Sequence, residues 1–118
     1  SQLSVMKVDG PDISKYGVIL PNLETGSVAG LMEKPEFKNA PSNLASIGRY
    51  VLTPDIFDIL RNQSIGVANE IQLADSINTQ VINNMVETVL LNGRHFDWDS
   101  IKGYIEAIKN VASNNKFD

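Results

Sequence analysis

Residues 28–52 read V-A-G-L-M-E-K-P-E-F-K-N-A-P-S-N-L-A-S-I-G-R-Y-V-L, and this stretch decides the fold. An apolar strand pattern runs from Ser27 to Glu33, Lys34 follows it, and Pro35 stops it. Residues 34–43 hold two prolines and no periodicity, so they form a loop. Another strand follows over Ile47 to Leu52, apolar enough for burial on both faces. An acid beside a base at a strand end is a two-purpose grip. The carboxylate accepts hydrogen bonds from vicinal hydroxyls and the ammonium neutralises a phosphate, the two demands of a sugar phosphate. A charged end guarding a strand terminus is the competing reading.

Working outward, Leu3 to Val8 alternates as a strand does, and Asp9-Gly10-Pro11-Asp12 breaks it. Tyr16 to Leu20 is a short strand closed by Pro21-Asn22, and Thr25-Gly26 turns the chain into the next one. Downstream, Thr53-Pro54-Asp55 offers an N-cap hydroxyl, a first-turn proline and an early acid. The helix it opens has Ile56, Phe57, Ile59 and Leu60 on its apolar side. Asn69 caps a second helix with Ile71, Ala74, Ile77 and Val81 on one side. Val86 to Leu91 is a fifth strand. Ile101, Tyr104, Ile105, Ile108, Val111 and Ala112 follow helical spacing and mark the last helix. The order β-β-β-β-α-α-β-α predicts an α/β fold, a mixed β-sheet flanked by helices.

The totals narrow the function. A chain of 118 residues buries about two thirds of its unfolded surface, enough for one core. Hydrophobic residues make up 42%, which suits a globular domain rather than a disordered one. No apolar run approaches the roughly 20 residues of a membrane span. The net charge of −4, with Lys and Arg scattered rather than striped, argues against a nucleic-acid partner. The absence of cysteine removes disulfides and thiol chemistry and fits a reducing cytoplasm. The chain opens at Ser1 inside a strand-like run, which reads as a processed or truncated product.

Five ordered segments carry a resemblance: S-K-Y-G-V at 14–18, E-K-P at 33–35, P-S-N-L-A-S-I-G-R-Y-V-L at 41–52, N-E-I-Q-L-A-D-S-I at 69–77 and F-D-W-D-S-I-K-G-Y at 96–104. Together they resemble the C-terminal half of the bacterial UTP–glucose-1-phosphate uridylyltransferases, in the sugar-nucleotide pyrophosphorylase family. The resemblance implies the sugar-binding half of a Rossmann-like nucleotidyltransferase fold. Residues 1–118 would then be the C-terminal, sugar-phosphate-binding part of that domain. The family's N-terminal G-x-G-T-R loop, which embraces the nucleotide, has no match here.

What the resemblance implies residue by residue stands beside what the residues say alone. The family's matching Glu binds sugar hydroxyls and its Lys binds phosphate, which assigns Glu33 and Lys34 those roles. Gly17 permits close approach of backbone and ligand, or is simply a strand-entry glycine; the resemblance implies the binding role. Asp97 and Asp99 precede the last helix, where carboxylates either hold Mg²⁺ or cap the helix. Asp99 or Ser100 can each cap that helix; Asp97 is taken as the metal ligand and Asp99 as the cap. Relatives have D-x-G where this chain has Asp97-Trp98-Asp99, a departure that bears on how closely phosphates approach. Ser42 and Asn43 have a pocket-lining or a turn role, and Glu70 and Asp75 read most simply as helix acids. His95 reads as a solvated strand-end residue. Arg49 and Arg94 can meet phosphate, while Arg49, inside an apolar strand, also suits a buried ion pair or a subunit contact.

The implied reaction forms UDP-glucose and pyrophosphate from UTP and glucose 1-phosphate, with Mg²⁺ as cofactor. This chain would supply the sugar-phosphate side of a homo-oligomeric, cytoplasmic enzyme and be inactive alone. The alternatives are a non-catalytic assembly module, or a related pyrophosphorylase for another sugar or nucleotide.

Overall fold

The computed structural model describes residues 1–65, 70–83 and 86–114. Strands β1 (Gln2–Lys7), β2 (Gly17–Pro21), β3 (Val28–Glu33), β4 (Leu44–Val51) and β5 (Glu87–Leu90) form one sheet. Its order is β3-β2-β4-β1-β5. All neighbours are antiparallel except β1 and β5, so the sheet is mixed. Helices α1 (Ile56–Asn62), α2 (Leu73–Asn83) and α3 (Ile101–Asn114) complete the fold, with short 3₁₀ turns at Pro11–Lys15 and Phe37–Asn39. The α/β class and the element order match the expectation from sequence. The expected cap at Asn69 lies outside the described residues.

The strand boundaries differ from the apolar pattern by about one residue, and by more at the start of β4. Strand β4 begins at Leu44, three residues before the apolar run at Ile47. Ser42 starts it: its hydroxyl donates to the Ile19 carbonyl at 2.6 Å and accepts from the Leu44 amide at 3.1 Å. Ala45 and Ser46 carry little hydrophobic signal, yet both are buried because β4 pairs on both sides here. Strand β5 is confined to Glu87–Leu90. Val86 still contributes, since it is buried and its carbonyl accepts from the Val28 amide at 2.8 Å.

The β1–β4 ladder shifts register between Leu3↔Tyr50 and Val5↔Ser46, four steps along β4 against two along β1. The extra residues form a bulge around Gly48, whose φ of 81° is the left-handed region that side chains resist.

Two clusters build the core. Leu3, Val5, Ile19, Val28, Leu31, Ile77 and Val86 pack between the sheet and α2. Ile13, Val18 and Ala45 pack on the other face, with Met6, Val8 and Tyr16 around them. The alternation of faces along a strand is visible in β2, where Val18 and Ile19 fall in different clusters.

Helix α2 buries Ser76 and Gln80 as well as Ile77, which a hydrophobic count does not anticipate. Both are satisfied. Gln80 accepts from the Ser1 hydroxyl at 2.8 Å and donates to Thr53 Oγ1 at 3.1 Å and Asp55 Oδ1 at 3.0 Å. The Ser76 hydroxyl donates to Gln63 Oε1. Thr53 therefore does not cap α1 with its side chain as expected. Its hydroxyl donates to Asp55 within this network, and its carbonyl receives the Ile56 amide at 3.1 Å.

Asn78 of α2 seals the open edge of β3. Its Oδ1 accepts from the Leu31 amide at 2.7 Å, and its Nδ2 donates to the Leu31 carbonyl at 3.0 Å. A side-chain amide thus stands in for a neighbouring strand.

Helix α3 forms where predicted, but its apolar side is open. Only Ala107 is buried, while Ile101 is 81% and Ile108 49% exposed. The radius of gyration is accordingly 16.1 Å, against about 13.5 Å for a compact chain of this length.

Candidate functional site

The end of β3 and the start of β2 lie side by side, with Gly17 paired to Glu33 across the ladder. Lys34 then takes φ 44°, the left-handed region, and its amide donates to the Tyr16 carbonyl at 3.0 Å. The pleat therefore ends at Glu33, and the rule that successive side chains alternate faces does not extend to Lys34. Pro35 after it is buried.

Glu33 and Gly17 line a cleft of about 290 Å³ whose other walls come from the β4 bulge and the loop before α3. Ser46, Gly48 and Tyr50 face it from β4; His95, Asp97 and Asp99 face it from the loop. Three of the four expected site residues, Gly17, Glu33 and Asp97, are thus brought together from separate segments. Lys34 adjoins Glu33, is exposed, and is not among the lining residues. The lysine that does line the cleft is Lys15, in an exposed ion pair with Asp12 at 3.4 Å.

Glycine at 17 is what admits the Glu33 carboxylate. A β-carbon there would lie 3.2 Å from Glu33 Oε2 and 3.3 Å from Leu31 Cδ1, tighter than ordinary packing. Tyr16 and His95 meet edge to face, ring centres 6.1 Å apart. Burial is the main cause that pushes the Tyr16 phenol above its ordinary value of 10.0, and the charge of Asp97 adds to it. The phenol therefore stays a protonated donor in a cleft lined by three carboxylates. Ser46 and Tyr50 share a hydroxyl–hydroxyl hydrogen bond of 3.2 Å beside it.

The loop carrying Asp97 is held locally. Asp97 Oδ1 accepts from the Asp99 amide at 3.0 Å. Ser100, and not Asp99 as expected, caps α3: its hydroxyl accepts from the Gly103 amide at 3.0 Å. The Asp99 carboxylate is left to the cleft. Asp97 and Asp99 present the hard oxygen donors that Mg²⁺ prefers. Among the described residues no three His, Cys, Asp or Glu stand close enough to hold a metal, so this chain fits only part of a coordination shell.

Ser42 and Asn43 take structural roles, and the other residues with alternative readings have plain surroundings. Ser42 bonds to Ile19 and Leu44, and Asn43 donates to Asp9 Oδ1 at 3.1 Å. Arg49 is exposed rather than buried. Arg94 lies over the Phe96 ring, 4.9 Å from its centre. Asp75 is an exposed first-turn acid of α2. His95, expected at a strand end, lies in the loop after β5 and lines the cleft with Asp97.

The chain is thus an α/β module, a mixed sheet flanked by helices with Gly17, Glu33 and Asp97 meeting at one cleft. The chain belongs to the nucleotidyl transferase family, whose profile matches residues 1–114. It is 42% identical over 113 residues to the UTP–glucose-1-phosphate uridylyltransferase of Haemophilus ducreyi, covering 91% of this chain and 38% of that protein. The Pseudomonas aeruginosa protein of the same name is 40% identical over 110 residues, covering 91% and 39%. Among solved structures, a UDP-glucose pyrophosphorylase complexed with UDP-glucose superposes with a TM-score of 0.85 at 40% identity, over 97% of this chain and 44% of that one. A UTP-bound enzyme from Acinetobacter baumannii superposes at 0.80 with 33% identity, over 97% and 40%. The chain thus spans somewhat over a third of the length of the curated relatives it matches. No helix among the described residues is long and apolar enough to cross a membrane.

Proposed function

We propose that this chain is the C-terminal, sugar-phosphate-binding part of an enzyme that makes UDP-glucose and pyrophosphate from UTP and glucose 1-phosphate. The observation that carries the reading is the convergence of Gly17, Glu33 and Asp97 on one cleft, in a chain about 40% identical to uridylyltransferases. Glu33 accepts hydrogen bonds from the sugar hydroxyls, and Gly17 leaves the room that the Glu33 carboxylate occupies at the cleft. Lys34, in its left-handed turn beside Glu33, draws in and orients the phosphate.

In the complete enzyme an oxygen of the sugar phosphate attacks the α-phosphorus of UTP, the bond to the β,γ-phosphates breaks, and pyrophosphate leaves. Such a transfer needs positioning and charge neutralisation rather than a covalent protein intermediate. Mg²⁺, when bound, supplies charge screening at the phosphates, and Asp97 would hold it with ligands from outside this chain. The cytoplasm is the compartment this reading implies, consistent with a chain that uses no cysteine.

The test is titration of the chain with glucose 1-phosphate and UDP-glucose, followed by thermal shift and NMR. Binding by the unmodified chain and its loss in Glu33→Ala and Lys34→Ala are expected. Equal stabilisation of all three proteins, or of none, would remove the sugar site. One observation favours a second reading, an assembly module or homo-oligomer: the open apolar side of α3. Concentration-dependent association without any ligand response would support that reading instead.

A further inference from the structure

We infer that Gly103, in the first turn of α3, is a positioning residue that seats the Asp97 loop and thereby aims the Asp97 carboxylate at the cleft. The inference rests on the reading of Asp97 as a site residue. Gly103 is six residues beyond Asp97 and does not itself line the cleft, yet the two backbones meet. A β-carbon at position 103 would overlap the Asp97 carbonyl oxygen and lie 2.8 Å from its carbonyl carbon. That neighbour is backbone, so it has no rotamer with which to give way. Any side chain at 103 must therefore displace the loop or unwind the first turn.

The same turn fastens the loop from its other side. The Gly103 amide donates to Ser100 Oγ at 3.0 Å, and the Ser100 hydroxyl lies 3.5 Å from the Asp97 carbonyl oxygen it faces. Asp97 Oδ1 is in turn pinned by the Asp99 amide at 3.0 Å. These contacts join the helix start, the carbonyl and the carboxylate, and the absence of a side chain at 103 is what lets them close. By contrast, Gly93 in the preceding loop has open space around it, so glycine is not needed there for packing. Sites hold their geometry through supports of this kind, and a displacement of about 1 Å in a functional group is enough to cost ligand affinity.

The test is a double-mutant cycle on UDP-glucose affinity in magnesium-containing buffer, read by NMR titration of the 118-residue chain. Gly103→Ala is expected to weaken binding about tenfold in the unmodified background and less than about twofold in Asp97→Ala. The Asp99 amide signal, which reports the bond to Asp97, should shift in Gly103→Ala and stay in place in the control Gly93→Ala. An affinity untouched by Asp97→Ala overturns the site reading, and this inference with it. An Asp97-dependent affinity that Gly103→Ala leaves alone, or lowers equally in both backgrounds, overturns the role of Gly103 only. Should Gly103→Ala not fold, Ser100→Ala replaces it. It removes the hydroxyl of the same turn, and an unmoved Asp99 amide with unchanged affinity would overturn the inference.

Discussion

The Glu33 carboxylate lies directly above Gly17 on the neighbouring strand, so close that a β-carbon at 17 would stand 3.2 Å from Oε2. The acid and the glycine are cross-strand partners. Their positions are therefore fixed by the ladder, and the vacancy over one is filled by the head group of the other.

Gly17→Ala should consequently move Glu33 by a few tenths of an ångström without breaking the strand, whose φ at 17 lies outside the left-handed region. We expect a stability loss of no more than about 1 kcal/mol, alongside a clear fall in affinity for glucose 1-phosphate. Urea unfolding and ligand titration of the same variant measure the two effects. Equal loss in both would mean that the glycine serves packing alone.

Lys34 holds a left-handed backbone that costs an ordinary residue about 1–2 kcal/mol, of which glycine's extra unfolded-state freedom would return roughly 0.5–1. Lys34→Gly should thus be as stable as the unmodified chain, or up to about 1 kcal/mol more so. Lys34→Ala keeps the strain and gains nothing. Both should lose phosphate affinity, so that stability and binding move independently in the glycine variant. A chemical-denaturation series on the two proteins decides it.

The Tyr16 phenol has a folded pKa raised above 10.0, chiefly by burial and then by Asp97. Between the unfolded and folded values the unfolded chain binds fewer protons. The stability associated with Tyr16 is therefore intact below about pH 10 and is lost as pH rises through the folded value. Tyr16→Phe should flatten that part of the stability profile above about pH 10. Asp97→Asn should lower the Tyr16 pKa while leaving it above 10.0, because burial remains. Ultraviolet difference titration of tyrosinate follows both.

Asn78→Ala removes the two hydrogen bonds to Leu31 and leaves a part-buried N–H and C=O on β3 without those partners. A cost of about 1–3 kcal/mol is expected, together with association through the bared strand edge. Asn78→Asp keeps an acceptor for the Leu31 amide but no donor for its carbonyl, and should fall between. Unfolding curves and light scattering report these outcomes. An alanine variant as stable and monodisperse as the parent would show that the edge needs no cover.

Much of the fold was legible because strong local signals agree with it. Pro11, Gly26, Pro35 and Pro41 punctuate the strands where turns are found, and the 3.6-residue spacing from Ile101 onward marks α3 correctly. The misreadings share a cause. Leu44, Ala45 and Ser46 are too small or mixed to announce a strand, and belong to one because partners on both sides claim them. Thr53 and Asp99 were each suited to a cap by type, but Thr53 is drawn into the Gln80 network and Ser100 takes the cap of α3 instead. Competition among several capable side chains is settled by tertiary distance.

The site divides the same way. Residue types and order offered Gly17, Glu33, Lys34 and Asp97 only as candidates beside structural alternatives, and the family resemblance is what assigned them to a site. Only the three-dimensional arrangement decided that Glu33 and Asp97, 64 positions apart in sequence, share a cleft with Tyr16, Ser46 and Tyr50. It alone also showed that Lys34 ends the pleat in a left-handed turn and that α3 leaves its apolar side open. Local propensity acts over a few residues. Which distant groups meet depends on strand register, and register is set by the packing of the whole sheet.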